Sequence, residues 1–190
     1  MGRLEEILNY NDRFVQDKKY ESYETTKYPN KKYVVLTCMD TRLTELLPKA
    51  MNIGHGDVKM VKNAGAMITH PYGSIMRSIL VAVYELQAEE VFVIGHYDCG
   101  MTGLRADKMI EKAREHGLTD EKYQLLEYSG VDFNKWLSGF DSPQDNVQAS
   151  VTQIKKHPLF PTDVPVHGLV IDPKTGKLDL VCKNGELVTQ

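Results

Sequence analysis

Residues 89–96, EEVFVIGH, decide the fold class. This segment is short, rich in β-branched residues and almost continuously apolar, and so is KYVVLTC at residues 32–38. Runs of this kind are typical of strands buried on both faces, because a strand with one exposed face alternates apolar and polar residues. Two such strands predict a parallel sheet covered by helices on both sides.

Segments with helical periodicity alternate with the strands along the chain. Helices are expected over residues 4–14, 44–53, 72–87, 101–117, 119–128 and 142–158, a further strand over 57–65, and two strands over 164–182 around a turn at 172–176. The alternation predicts an α/β fold of three layers, in which helices flank a mostly parallel central sheet of order 2-1-3-4 with an added antiparallel edge strand. Pro48 lies early enough in its helix to be tolerated or to kink it. No repeat or linker divides the chain, so residues 1–190 are expected to form one domain.

Composition and charge exclude several classes of function. The chain has 190 residues and a formal net charge of −3, with acids and bases mixed, which gives no basic face for nucleic acid and no polybasic patch for a membrane. No apolar stretch is long enough to span a bilayer, and MGRLEE is acidic where a signal peptide would be basic. We therefore expect a cytoplasmic protein that binds neither nucleic acid nor membrane. Three cysteines are a poor disulfide framework and favour metal binding or catalysis.

Two polar motifs follow the first and third strands. CMDTR occupies residues 38–42 and GHYDCGM occupies residues 95–101. In the order 2-1-3 these strands are neighbours, and ligands of open α/β sheets bind at strand carboxyl ends where the order reverses. We therefore expect Cys38, His96 and Cys99 to meet, a set that suits tetrahedral zinc and leaves a fourth position for water. Cys99 is expected at the start of the next helix, whose positive end would favour its thiolate.

Asp40 and Arg42 supply a second pair of functional groups. Side chains two apart on an extended chain point the same way, so both would lie on the side of Cys38 if the chain stays extended past the end of the strand. The guanidinium of Arg42 can hold the Asp40 carboxylate through two hydrogen bonds. Held in this way, Asp40 would accept a hydrogen bond from a metal-bound hydroxide; released, it would take the fourth metal position and switch the site off. The sequence does not choose between these two states.

The ordered set of motifs resembles the β-class carbonic anhydrases, in particular their short microbial branch. The two motifs match the family pattern Cys-x-Asp-x-Arg followed by His-x-x-Cys-Gly. Further resemblance lies in KNAGA at residues 62–66, RSIL at 77–80 and PVHGLVIDPKTGKL at 165–178. Lys62 stands where the family usually has arginine, and residues 102–142 match the family least well.

The resemblance implies a zinc enzyme that converts carbon dioxide and water to bicarbonate and a proton through attack by zinc-bound hydroxide. It implies Cys38, His96 and Cys99 as ligands, Asp40 as a possible fourth ligand, and Asp40 with Arg42 as the catalytic dyad. Two thiolates weaken the Lewis acidity of zinc, so we expect the rate to rise with pH. A homodimer or a dimer of dimers is also implied, with an N-terminal helical arm of about residues 1–20 embracing the partner.

Other functions stay open at this point. The resemblance permits a hydrolase of another small heterocumulene, either carbonyl sulfide or carbon disulfide. It also permits a catalytically silent zinc-binding protein, although the intact Asp40 and Arg42 argue against one. A nucleotide-binding domain has little support, because no strand is followed by Gly-x-Gly-x-x-Gly or a P-loop.

The remaining polar residues have simpler explanations. Asp98 is expected to cap the helix after GHYDCGM rather than to bind metal. Cys182 is expected to be a structural thiol of the last strand. Surface or structural positions are expected for the other histidines, which are His55, His70, His116, His157 and His167.

Overall fold

A six-stranded sheet forms the centre of the computed structural model, which describes residues 2–188 apart from the side chain of Glu127. Its strands are β1 (Tyr33–Cys38), β2 (Lys59–Asn63), β3 (Glu90–His96), β4 (Val166–Ile171), β5 (Leu178–Lys183) and β6 (Glu186–Leu187). The spatial order is β2-β1-β3-β4-β5-β6; β1 to β4 pair in parallel and β5 and β6 are antiparallel. The predicted α/β class and sheet order are confirmed, with β6 as an additional short edge strand.

Helices connect the strands and cover the sheet. The α-helices of the described residues are α1 (Arg3–Gln16), α2 (Leu43–Ala50), α3 (Ser74–Tyr84), α4 (Ala106–Glu115), α5 (Asp120–Glu127), α6 (Phe133–Leu137) and α7 (Pro143–Lys155), and 3-10 helices span Lys19–Tyr23 and Ala64–Ala66. Thr119 caps α5 and Ser142 caps α7, each with its hydroxyl accepting from a backbone N–H of the first turn. The short helix α6 was not predicted from the sequence.

The side chains of β1 divide between two hydrophobic cores. Val34 and Leu36 are fully buried with residues of α3 and α7, while Val35 packs with Leu43 and Leu47 of α2. Successive side chains of a strand point to opposite faces, so an apolar run lets helices cover both sides of the sheet. This burial on both faces explains why the sequence of β1 is almost continuously apolar.

The helix expected over residues 101–117 begins only at Ala106. Gly103 has a left-handed backbone (φ +69°), and its N–H donates to the Phe140 carbonyl at 2.8 Å. Thr102 also forms a bridge with Phe140. These contacts hold residues 101–105 in turns, and so the expectation that a helix starts at Cys99 is wrong.

Pro48 lies in the last turn of α2 rather than early in it. The helix starts at Leu43 and ends at Ala50, two residues after the proline. A proline lacks the backbone N–H and is tolerated without loss of a hydrogen bond only in the first turn of a helix, so Pro48 costs α2 one hydrogen bond to the preceding turn, and the helix ends two residues later.

The first helix makes no contribution to the buried core. None of the residues Arg3–Gln16 is buried, and the apolar side chains of Leu4, Ile7 and Leu8 are more than half exposed. Met1, the first residue of the expected arm, lies outside the described residues. Across residues 2–188, none of the helices has both the length and the apolar content that crossing a bilayer requires.

Candidate metal centre

Two thiols and one imidazole meet at the carboxyl ends of β1 and β3. These strands are parallel neighbours, with Thr37 opposite Ile94, so the residues that end them lie side by side. One ligand-type atom from each of Cys38, His96 and Cys99 lies within 4.8 Å of the other two, and all three residues are buried. Three soft or borderline donors in one buried place can hold a metal ion.

The spacing of the two sulfurs fits a shared metal ion. Cys38 Sγ lies 3.9 Å from Cys99 Sγ, too far for a disulfide. Two thiolates at about 2.3 Å from one tetrahedral zinc would stand about 3.8 Å apart. The sulfurs therefore have the separation of two ligands on one ion.

The imidazole of His96 presents a free lone pair to the same place. Its Nδ1 lies 2.8 Å from the Tyr97 carbonyl oxygen, which can only accept, so Nδ1 carries the proton and Nε2 is the basic nitrogen. Nε2 is the one buried polar side-chain atom of the described residues that lacks a hydrogen-bond partner. Buried polar atoms are rarely left unpaired, so this lone pair is available to a metal ion.

The charges of the three side chains are coupled. The hydrogen bond from Cys99 lowers the pKa of Cys38 to about 4 against the opposing effect of burial, with further help from His96 and from the Gly65 N–H at 3.3 Å. The Cys38 thiolate and burial raise the pKa of Cys99. For His96, burial alone would lower the pKa, but the Cys38 thiolate and the Tyr97 carbonyl outweigh it and the pKa is raised. The pKa values of the two thiols therefore move in opposite directions, whereas a coordinating metal would deprotonate both.

Asp40 is held by Arg42 at the edge of this group. Its carboxylate accepts from the Arg42 backbone N–H at 2.9 Å, from Nε at 3.0 Å and from Nη2 at 2.8 Å. These hydrogen bonds lower the pKa of Asp40 to about 2, although burial opposes the shift. Asp40 Oδ2 lies 3.8 Å from His96 Nε2, so the carboxylate borders the place where the lone pair points.

The chain after Cys38 turns instead of staying extended. Arg42 has helical backbone angles and directly precedes α2. An extended chain was the condition for Cys38, Asp40 and Arg42 to share one side by strand geometry, and the structure does not meet it. The turn nevertheless lets the Arg42 side chain close back on Asp40, two residues earlier.

Asp98 and Gly65 also make contacts within the site, and Asp98 does so in place of its expected role as a helix cap. The Asp98 carboxylate accepts from Arg42 Nη1 at 2.8 Å instead of capping a helix. Gly65 donates its N–H to Cys38 and has a left-handed backbone (φ +82°) that only glycine adopts readily. The motif KNAGA offered a signal for Gly65, whereas the contact between Asp98 and Arg42 joins distant segments and has no local signal.

The other histidines and Cys182 are not part of this group. His55 Nε2 lies 2.9 Å from the Tyr23 carbonyl oxygen, and His167 pairs with Glu90 at 2.9 Å within the sheet. His116 ends α4, as expected. His70 is exposed and His157 is buried against Tyr72, while Cys182 is fully buried in the core beside α7.

Comparison with known proteins identifies the family. Residues 33–178 match the sequence profile of the carbonic anhydrases. YvdA of Bacillus subtilis, provisionally named a carbonic anhydrase, is 59% identical over 186 residues, covering 98% of this chain and 94% of YvdA. The crystal structure of β-carbonic anhydrase isoform I from Trichomonas vaginalis superposes with a TM-score of 0.86 at 32% identity, covering 97% of this chain and all of that one.

A carbon disulfide hydrolase of Acidithiobacillus thiooxidans is more distantly similar. It is 26% identical over 155 residues, which cover 78% of this chain and 76% of the hydrolase. The profile match spans more than half of the sequence, and the similarity to YvdA extends over nearly all of it. The chain therefore belongs to the β-class carbonic anhydrase family.

Proposed function

We propose that this protein is a zinc-dependent carbonic anhydrase, which interconverts carbon dioxide and water with bicarbonate and a proton. One observation carries the proposal: the buried, unpaired Nε2 of His96 faces the sulfurs of Cys38 and Cys99 beside a carboxylate held by arginine. The two thiols and the imidazole would be the metal ligands. Zinc is the ion favoured by a Cys₂His set, and three protein ligands leave one position open.

Asp40 would orient the reacting water. A zinc ion held by Cys38, His96 and Cys99 would supply Lewis acidity. Since the pKa of Asp40 is about 2, its carboxylate is ionised at neutral pH and accepts a hydrogen bond without taking the proton. Arg42 keeps the Asp40 carboxylate ionised and bound to the guanidinium. Of the two states considered from the sequence, this is the one in which Arg42 holds Asp40.

A second candidate is hydrolysis of carbon disulfide or carbonyl sulfide. The sequence similarity between this chain and carbon disulfide hydrolases favours this activity. These substrates are linear heterocumulenes like carbon dioxide, so the same set of side chains could act on them. The measurable difference is release of sulfide.

Two exposed features support a homodimer or a dimer of dimers. The helix α1 presents Leu4, Ile7 and Leu8 to solvent and buries none of its residues, and β2 has one unpaired edge at the end of the sheet. Unpaired edges and exposed apolar helix faces are commonly covered by a second subunit. The three free thiols fit a reducing compartment, which supports the cytoplasm as the location.

Metal analysis combined with stopped-flow kinetics tests the proposal. We expect about one zinc ion per chain and rapid hydration of carbon dioxide. Cys38→Ala should abolish both, whereas the matched control Cys182→Ala removes an equally buried thiol outside the site and should retain zinc. Faster release of sulfide from carbon disulfide than hydration of carbon dioxide would favour the second candidate. Zinc without either activity would identify a catalytically silent protein.

A further inference from the structure

Asp98 lies in the turn between His96 and Cys99. Its backbone is left-handed (φ +53°), and its side chain is 78% exposed. It is not among the groups that converge on the candidate metal position. What it contacts is Arg42, which comes from the other of the two motif-bearing segments.

Arg42 is held from both sides. Asp98 accepts from Nη1 through its carboxylate and from Nη2 through its backbone carbonyl, each at 2.8 Å. The Asp40 carboxylate accepts from Nε and from the other N–H of Nη2. A guanidinium is a rigid planar fork, so a contact that fixes one edge also fixes the direction of the other.

We propose that Asp98 is a positioning residue that anchors Arg42 from the segment carrying His96 and Cys99, so that Arg42 keeps the Asp40 carboxylate off the metal. The inference rests on the proposed function and extends it to a residue outside the ligand set and the dyad. Asp40 Oδ2 is 3.8 Å from His96 Nε2, about 0.4 Å more than the separation of an oxygen and a nitrogen ligand on one tetrahedral ion. Its distance from the metal position therefore depends on how firmly Arg42 is held.

Burial does not hold Arg42, because its side chain is 40% exposed. The contacts with Asp98 therefore restrict the guanidinium where packing does not. An exposed ion pair shifts an equilibrium only modestly, by about two- to five-fold. Loss of the Asp98 carboxylate should raise, by that factor, the ratio of molecules with Asp40 on the metal to molecules with Asp40 held by Arg42.

A purely structural role for Asp98 makes a different prediction. Aspartate tolerates left-handed backbone angles better than most residues, and this alone could explain its presence. Glycine tolerates them better still. Asp98→Gly therefore keeps the turn and removes the carboxylate, while Asp98→Asn keeps the turn and leaves a weaker, neutral acceptor.

Anion binding to the cobalt(II)-substituted full-length protein separates these roles. Thiocyanate needs the open metal position, and its binding changes the visible spectrum of cobalt. We expect the thiocyanate affinity to fall, by at most about five-fold, in Asp98→Gly and by less in Asp98→Asn, with thermal unfolding unchanged. Removal of a negative charge would by itself strengthen anion binding, so the direction of the change is diagnostic.

The outcomes distinguish the two proposals. Normal cobalt uptake with unchanged or tighter thiocyanate binding in both variants would overturn the role of Asp98 and leave the metal centre standing. If the wild-type protein takes up no cobalt, or its spectrum lacks thiolate-to-metal charge transfer, the metal centre and the role of Asp98 are both overturned.

Discussion

Gly65→Ala should destabilise the protein through two separable effects. The backbone of Gly65 is left-handed (φ +82°), which costs a residue with a Cβ about 1–2 kcal/mol. An added Cβ would also stand 2.9 Å from Phe140 Cε1 and 3.1 Å from the Cγ atoms of Met101 and Met67. Such overpacking costs about 1–3 kcal/mol. The free energy of unfolding should therefore fall by about 2–5 kcal/mol.

Gly117→Ala is the matched control. Gly117 is also left-handed (φ +97°), but its added Cβ would meet nothing within 4 Å, so only the backbone cost of about 1–2 kcal/mol applies. Urea denaturation of both variants at one protein concentration gives the two values, and a fixed concentration removes any effect of oligomerisation. Equal losses in the two variants would refute the claim that the loop under Cys38 is closely packed against Phe140 and Met101.

Three further predictions concern the chemistry of the site. Asp40→Asn should lower the rate of carbon dioxide hydration by about 100-fold or more, because the neutral amide is a poorer hydrogen-bond acceptor than the carboxylate. The zinc content should stay the same. Loss of zinc would instead assign Asp40 to metal binding. In the unmodified protein, the rate of carbon dioxide hydration, measured by stopped flow, should rise with pH in the neutral to alkaline range. Asp40 should not contribute to this rise, because its pKa of about 2 leaves it ionised throughout. An unchanged rate across that range would contradict the prediction. In chelated protein, iodoacetamide should modify Cys38 at a rate that changes little between pH 8 and pH 6, because its pKa is about 4. Cys182 is also buried and its pKa is raised, so its rate should fall as the pH is lowered. A tenfold fall per pH unit for Cys38 between pH 8 and pH 6, measured by mass spectrometry, would show an ordinary thiol.

Features that depend on neighbouring residues were predictable from the sequence. The apolar runs of β1 and β3 reflect burial on both faces, and the cap residue Thr119 marks the start of α5. From these, the order of the sheet and the meeting of two distant motifs at its edge follow from topology. The structure brings Cys38, His96 and Cys99 together as that reasoning requires, and their roles as ligands stay a prediction until metal is measured.

Features that depend on distant contacts were not predictable. Residues 101–105 have helical periodicity, but the hydrogen bond from Gly103 to Phe140 holds them in turns. For the same reason the Asp98 carboxylate, which looked like a helix cap, pairs with Arg42. In both cases the partner lies more than 30 positions away, where periodicity and capping rules give no information.

X-ray absorption spectroscopy at the zinc edge of the purified protein tests the central claim most directly. If Cys38, His96 and Cys99 hold one zinc ion, the spectrum should require two sulfur atoms at about 2.3 Å and two nitrogen or oxygen atoms at about 2.0–2.1 Å. A first shell with one sulfur or none, or protein that stays free of zinc when zinc is supplied, would contradict the account.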